Sequence, residues 1–140
     1  METIFSKIIN GDVPAAIVYE DNMVVAFLDH DPVHPGHTLI VPRKPFVNIF
    51  DGDDETLAHM MVIAKKVATA LVSVVNAEGI NLHMNNNGAA GQEVFHAHLH
   101  VVPRYQDDNS YQKPHRSSYD DTGIDITALG AEISAALGEE

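Results

Sequence analysis

Between Phe95 and Arg104 the chain reads FHAHLHVVPR, with His96, His98 and His100 two residues apart and Ala97, Leu99 and Val101 between them. Successive side chains of an extended strand point to opposite faces. This period of two therefore predicts a strand over Val94 to Val102 with three imidazoles on one face and apolar groups on the other. Neighbouring imidazoles then stand ~6.6 Å apart at the backbone, from about 3.3 Å of rise per residue, close enough to share one phosphoryl group. A single histidine on such a strand would mark only a solvated face; three in register make a site. Histidine is also the commonest zinc ligand, so a metal cluster competes with phosphoryl chemistry. No Asp or Glu lies on the same face of the strand, although Glu93 is near.

The residues before the strand favour phosphoryl chemistry. In NNNGAAGQ, Asn85 to Gln92, the small residues let backbone amides approach an anion closely, and Asn and Gln amides add donors. Directly upstream of three imidazoles, this loop brings together a nucleophile, an anion cradle and a proton source.

The rest of the chain supplies the scaffold. Ile4, Phe5, Ile8 and Ile9 fall at helical spacing, with Thr3 as N-cap and Gly11 as stop. Ala16 to Glu20 and Met23 to Asp29 read as a hairpin turning at Asp21 and Asn22, and His37 to Val41 reads as a third strand ended by Pro42. From Asp53 or Asp54 to about Asn76, apolar residues recur every three or four positions, which predicts the longest helix, with Gly79 after it. Ile80 to Asn85 is a further strand, Asp107 to Gly123 is polar and irregular, and Ile124 to Leu137 is weakly helical. Strands before and after one helix, without regular alternation, predict an α+β fold with an antiparallel sheet. The 140 residues suit one domain, 1–140.

With 8 Lys and Arg against 20 Asp and Glu, the formal charge of −12 opposes binding to DNA or RNA, where affinity comes from neutralising many phosphates. One desolvated cluster of donors can still hold a small phosphorylated ligand. The absence of cysteine removes thiol nucleophiles and sulfur-ligated zinc. No uncharged apolar run approaches the roughly 20 residues of a membrane span, and METIFSKIINGD lacks the features of a secretory signal, so a cytoplasmic protein without membrane partners is expected.

GQEVFHAHLHVVPR resembles the signature of the histidine triad (HIT) family, and IFSKIINGDVPA, AFLDHDPVHPGHTLIVPRK and NNNGAAGQ resemble that family in order and spacing. The resemblance stops near Arg104, leaving 105–140 as a C-terminal extension. It implies an α+β fold with one long helix and a short N-terminal one, a homodimer whose sheets join, and nucleotide hydrolysis or transfer through a nucleotidyl-histidine intermediate. By position it makes His98 the nucleophile, with His96 and His100 orienting it and binding phosphate, and His37 the fourth site histidine. Asp29 then falls on the ribose hydroxyls, Ile4, Phe5, Ile8, Phe27 and Leu28 on the purine base, and Asn85 and Gln92 on phosphate. Many bacterial relatives hold a structural zinc through two cysteines in the opening segment. Here Ser6 stands nearby and no sulfur exists, so neither that zinc nor any cofactor is expected. Pro103 and Arg104 resemble the dinucleoside polyphosphate hydrolases and many bacterial members rather than the phosphoramidase branch, and Glu93 likewise resembles the bacterial members. Three readings remain: a nucleotidyl hydrolase or transferase acting on purine nucleotides, a nucleotide-binding regulator without turnover, and a metal-binding histidine cluster.

Overall fold

In the computed structural model, which describes residues 2–108 and 116–138, a reciprocal pair of hydroxyls starts the chain's first helix. Thr3 Oγ1 accepts from the Ser6 amide at 3.2 Å and Ser6 Oγ accepts from the Thr3 amide at 2.7 Å. This capping box satisfies two donors that would otherwise be orphaned and sets α1, Ile4–Ile9. The β1 (Ile17–Glu20) and β2 (Val24–Leu28) hairpin turns where Asp21 Oδ1 accepts the Met23 and Val24 amides, each at 2.8 Å. β3 spans Thr38–Pro42. The long helix α2, Asp54–Val75, starts from Asp53, whose carboxylate accepts the Thr56 amide. It stops at Asn76, which takes a left-handed conformation with φ of 57° and closes the last turn onto Leu71. Gly79, expected to follow the helix as its stop signal, instead opens β4, Gly79–His83. The chain continues through β5 (Leu99–Arg104), the short α3 (Tyr119–Thr122) and α4 (Ile126–Gly138).

The five strands form one antiparallel sheet in the order β1-β2-β3-β5-β4, so the fold is α+β as expected. Alternation along β2 and β3 divides the core. Val24, Ala26, Leu28 and Ile40 pack with Met60, Ile63, Ala64, Val67 and Leu71 of α2, while Val25, Phe27, Leu39 and Val41 pack with Phe5 of α1. Leu129, Ile133 and Leu137 of α4 join the α2-side core, at about 1.5 to 3 kcal/mol for each buried side chain. α2 is long and apolar enough to cross a bilayer. Here it carries Lys65 and Lys66, and its apolar face lies on the sheet.

β5 departs from the sequence reading. It begins at Leu99, so His96 and His98 lie in an irregular approach to the strand. The backbone there bonds elsewhere: the Ala97 amide donates to the Phe46 carbonyl at 2.8 Å, and sheet pairing to β3 covers only Leu99 to Val101.

Gly36 sets the entry to β3. Its φ is +99°, a Cβ there would lie 2.8 Å from Cδ2 of the buried Leu71, and its amide donates to Tyr119 Oη at 2.9 Å. Gly36→Ala therefore combines left-handed strain with overpacking. It should lower unfolding free energy by about 2 to 4 kcal/mol in urea titration.

Candidate active site

The protonation of four histidines follows from groups that can only donate or only accept. The His98 Nδ1 atom lies 2.8 Å from the His96 carbonyl, which only accepts. Nδ1 therefore carries the proton, and the lone pair of neutral His98 is on Nε2. His96 Nε2 lies 3.1 Å from the Pro42 carbonyl and must donate to it, which leaves Nδ1 to accept the Thr3 hydroxyl at 3.0 Å. In His37, Nδ1 accepts the Val33 amide at 3.1 Å, so Nε2–H donates to His100 Nδ1 at 2.8 Å. His100 then carries its own proton on Nε2. Among the described residues, neither His98 Nε2 nor His100 Nε2 has a hydrogen-bond partner. The first is a lone pair and the second a donor, on rings 5.0 Å apart.

Burial keeps these rings neutral. It lowers His37 to about 3, with the Arg116 charge adding to the effect, and lowers His100 to about 2, with His83 and His37 next in importance. Burial also lowers His98, opposed by the bond to the His96 carbonyl, and lowers His96, opposed by the bond to Pro42. Although His37 Nε2 is 3.7 Å from Asp29 Oδ2, the pair is not ionic, because a protonated His37 could not accept the Val33 amide. The Asp29 charge is instead met by Arg116, with Nη2 at 2.6 Å from Oδ2, while Oδ1 accepts the Asp31 amide.

Several expected residues converge. His37, His98, His100 and Asp29 form a connected group, and Phe5 packs its ring 4.8 Å from His98 and 5.7 Å from Phe27. Ile8 lies against the same apolar cluster, and Ile4 is exposed at the start of α1. Leu28 does not join them: one residue past Phe27 on β2, it faces the α2 core. His96 is fully buried with both nitrogens engaged, so it holds the site together and has no nitrogen left for phosphate. Gln92 is similarly committed. Its amide donates to the Val47 and Val94 carbonyls and accepts from Asn48 and from the Asn87 amide, clasping the glycine loop. Asn85 is half-buried, and its amide donates to the Gly91 carbonyl at 3.3 Å.

Two places test for a metal. Thr3 and Ser6 stand in the opening segment as hydroxyls that each accept the other's backbone amide, a donor set that does not suit zinc, which prefers thiolate and imidazole. Asp29, His37 and His100 have ligand atoms within 4.8 Å of one another. A cation there would have to replace the proton between His37 and His100 and the guanidinium on Asp29.

Residues 10–107 match the HIT domain family model. The chain belongs to the HIT family. It is 40% identical over 135 residues to the protein hit of Bacillus subtilis, covering 96% of this chain and 93% of that one. It is 35% identical over 107 residues to the adenylylsulfatase HINT3 of Arabidopsis thaliana, covering 76% of this chain and 54% of that one. The crystal structure of a Zn-bound histidine triad family protein from Mycobacterium smegmatis superposes with a TM-score of 0.87 and 36% identity, covering 99% of this chain and 95% of that one.

Residues outside the triad pattern complete this HIT site. His83 stacks on His100 at 4.2 Å and 12°, because β4 and β5 pair those two positions. A lone histidine in a strand gives no hint of that register. Thr3 was legible only as a helix cap, yet its hydroxyl also holds His96.

The buried neutral histidines make stability pH-dependent. His37 and His100 titrate far below the ordinary value of about 6.5, so the unfolded chain binds more protons in acid. Stability should be full above pH ~6.5 and fall progressively as pH drops toward about 3. His37→Asn should flatten that slope in urea titrations across the range; an unchanged slope would count against burial of His37 as its source.

Proposed function

We propose that the protein is a nucleotidyl hydrolase or transferase whose nucleophile is His98, acting at the α-phosphate of purine nucleotides. The observation that carries this reading is the His98 Nδ1 bond to the His96 carbonyl, which leaves the Nε2 lone pair free on a ring 5.0 Å from that of the donor His100. In the first step His98 Nε2 forms a bond to the α-phosphorus while the bond to the leaving group breaks. The leaving group departs with the electron pair and takes a proton from solvent, while His100 donates a hydrogen bond to a phosphoryl oxygen as charge develops. As Nε2 bonds phosphorus the ring becomes cationic, and its Nδ1–H goes on donating to the His96 carbonyl. Water or another acceptor then attacks phosphorus and gives up its proton to solvent, the N–P electron pair returns to the ring, and the nucleoside monophosphate or the nucleotidylated acceptor leaves.

Asp29 is assigned to the ribose hydroxyls, and Phe5, Phe27, Ile4 and Ile8 to the base, which enters beside the His98 ring. Leu28 acts only through the core. Asn85 serves the phosphate, with Gln92 supporting it by holding the loop. A homodimer joined through sheet edges fits β4, whose residues are mostly exposed. The charge of −12 supports a small nucleotide over a nucleic acid as partner. The Asp29, His37 and His100 cluster supports the metal reading, and a chelator separates the two.

His98→Ala should lower kcat on adenosine phosphoramidate and diadenosine polyphosphates by roughly a thousandfold or more while the variant still binds AMP, and wild-type turnover should persist in EDTA. The acid limb of wild-type kcat/KM should lie below the ordinary histidine value of about 6.5, since burial lowers His98 and the neutral ring is the reactive one. Residual turnover near wild type in His98→Ala would remove the covalent mechanism, and loss of turnover in EDTA would favour a metal.

A further inference from the structure

Arg116 lies beyond the stretch that matches the family model, yet it reaches the site. The segment that carries it is docked: the Ser117 amide and hydroxyl both donate to the Pro32 carbonyl, at 2.8 and 3.1 Å, and the buried Tyr119 accepts the Gly36 amide at 2.9 Å. Arg116 is thereby held over the loop between β2 and β3. Its Nη2 bonds Asp29 Oδ2, that oxygen lies 3.7 Å from His37 Nε2, and His37 bonds His100.

The guanidinium is only partly used. It has five N–H donors, and among the described residues Nε and Nη1 have no partner while the side chain is 47% exposed. Other cations are engaged elsewhere: Arg43 pairs with Glu20, Arg104 with Asp108 and Lys7 with Glu2. Arg116 is also the Lys or Arg whose charge is felt at His37, His83, His98 and His100. With four neutral imidazoles and a chain of net charge −12, little else can offset a substrate bearing several phosphates.

We propose that Arg116 is a specificity-determining residue that binds the phosphate chain beyond the α-phosphate, so that the site favours nucleotides whose leaving group is itself a phosphate anion. This rests on the nucleotidyl-transfer reading only in placing the α-phosphate at His98. A guanidinium meets phosphate oxygens with paired, charge-assisted bonds, whereas an amine leaving group offers it no anion. Asp29 keeps acceptor positions for ribose while its charge is balanced by the same side chain.

The test reads binding without turnover. AMP and ADP are titrated calorimetrically into protein carrying His98→Ala to stop turnover, with Arg116 kept as in wild type or changed by Arg116→Gln or Arg116→Lys, and the ratio Kd(AMP)/Kd(ADP) is compared. Any general effect through Asp29 cancels in that ratio. The ratio should exceed one with Arg116 kept, fall by about tenfold in Arg116→Gln, and be intermediate in Arg116→Lys. A ratio unchanged by Arg116→Gln overturns the proposal, as does a protein with Arg116 kept that binds ADP no more tightly than AMP. If the ratio shifts but wild type hydrolyses no nucleotide, the catalytic reading fails and the binding assignment stands. Hydrolysis by way of His98 with an unshifted ratio gives the converse.

Discussion

One hydrogen bond, from His98 Nδ1 to the carbonyl of His96, decides what this site can do. A carbonyl cannot donate, so the proton is pinned on one nitrogen and the lone pair on the other. The rest of the architecture keeps that carbonyl where it is. The Ala97 amide is tied to Phe46, and the His96 ring is held at one end by Pro42 and at the other by Thr3. The N-terminal helix thus does two things with one hydroxyl, capping its own first turn and steadying the residue whose carbonyl orients His98.

The second relay starts from the Val33 amide and runs through His37 to His100, ending in an N–H on a ring 5.0 Å from that of His98. Both relays require neutral rings, and burial provides that neutrality. Arg116 adds a positive charge where carboxylates dominate the chain, paired with Asp29 at the rim. A lone pair, a donor and one anchored cation suit a phosphorylated ligand better than they suit a metal ion.

Much of this was legible in the residues themselves. The three-and-four periodicity of α2 and the Thr3 cap fixed two helices, because local spacing and capping chemistry decide them. The period of two in the histidine segment pointed to a strand, and there local pattern misled. Hydrogen bonds from Ala97 and His98 to carbonyls take the chain out of the sheet until Leu99, so His96 is an interior strut and not one of three equivalent imidazoles. Leu28 shows the same limit: it adjoins Phe27 in sequence and faces the other side. His83 and Arg116 depend on strand register and on a docked tail, contacts made across 17 and 87 residues respectively, which no local motif encodes.

The protonation of the imidazole nitrogens can be read directly from long-range nitrogen–proton correlation spectra of protein labelled with nitrogen-15 in histidine at pH 7. His98 should show a protonated Nδ1 and an unprotonated Nε2, while His37, His96 and His100 should show the opposite tautomer. A His98 protonated at Nε2, or carrying protons on both nitrogens at that pH, would contradict the arrangement on which the proposed nucleophilic attack depends.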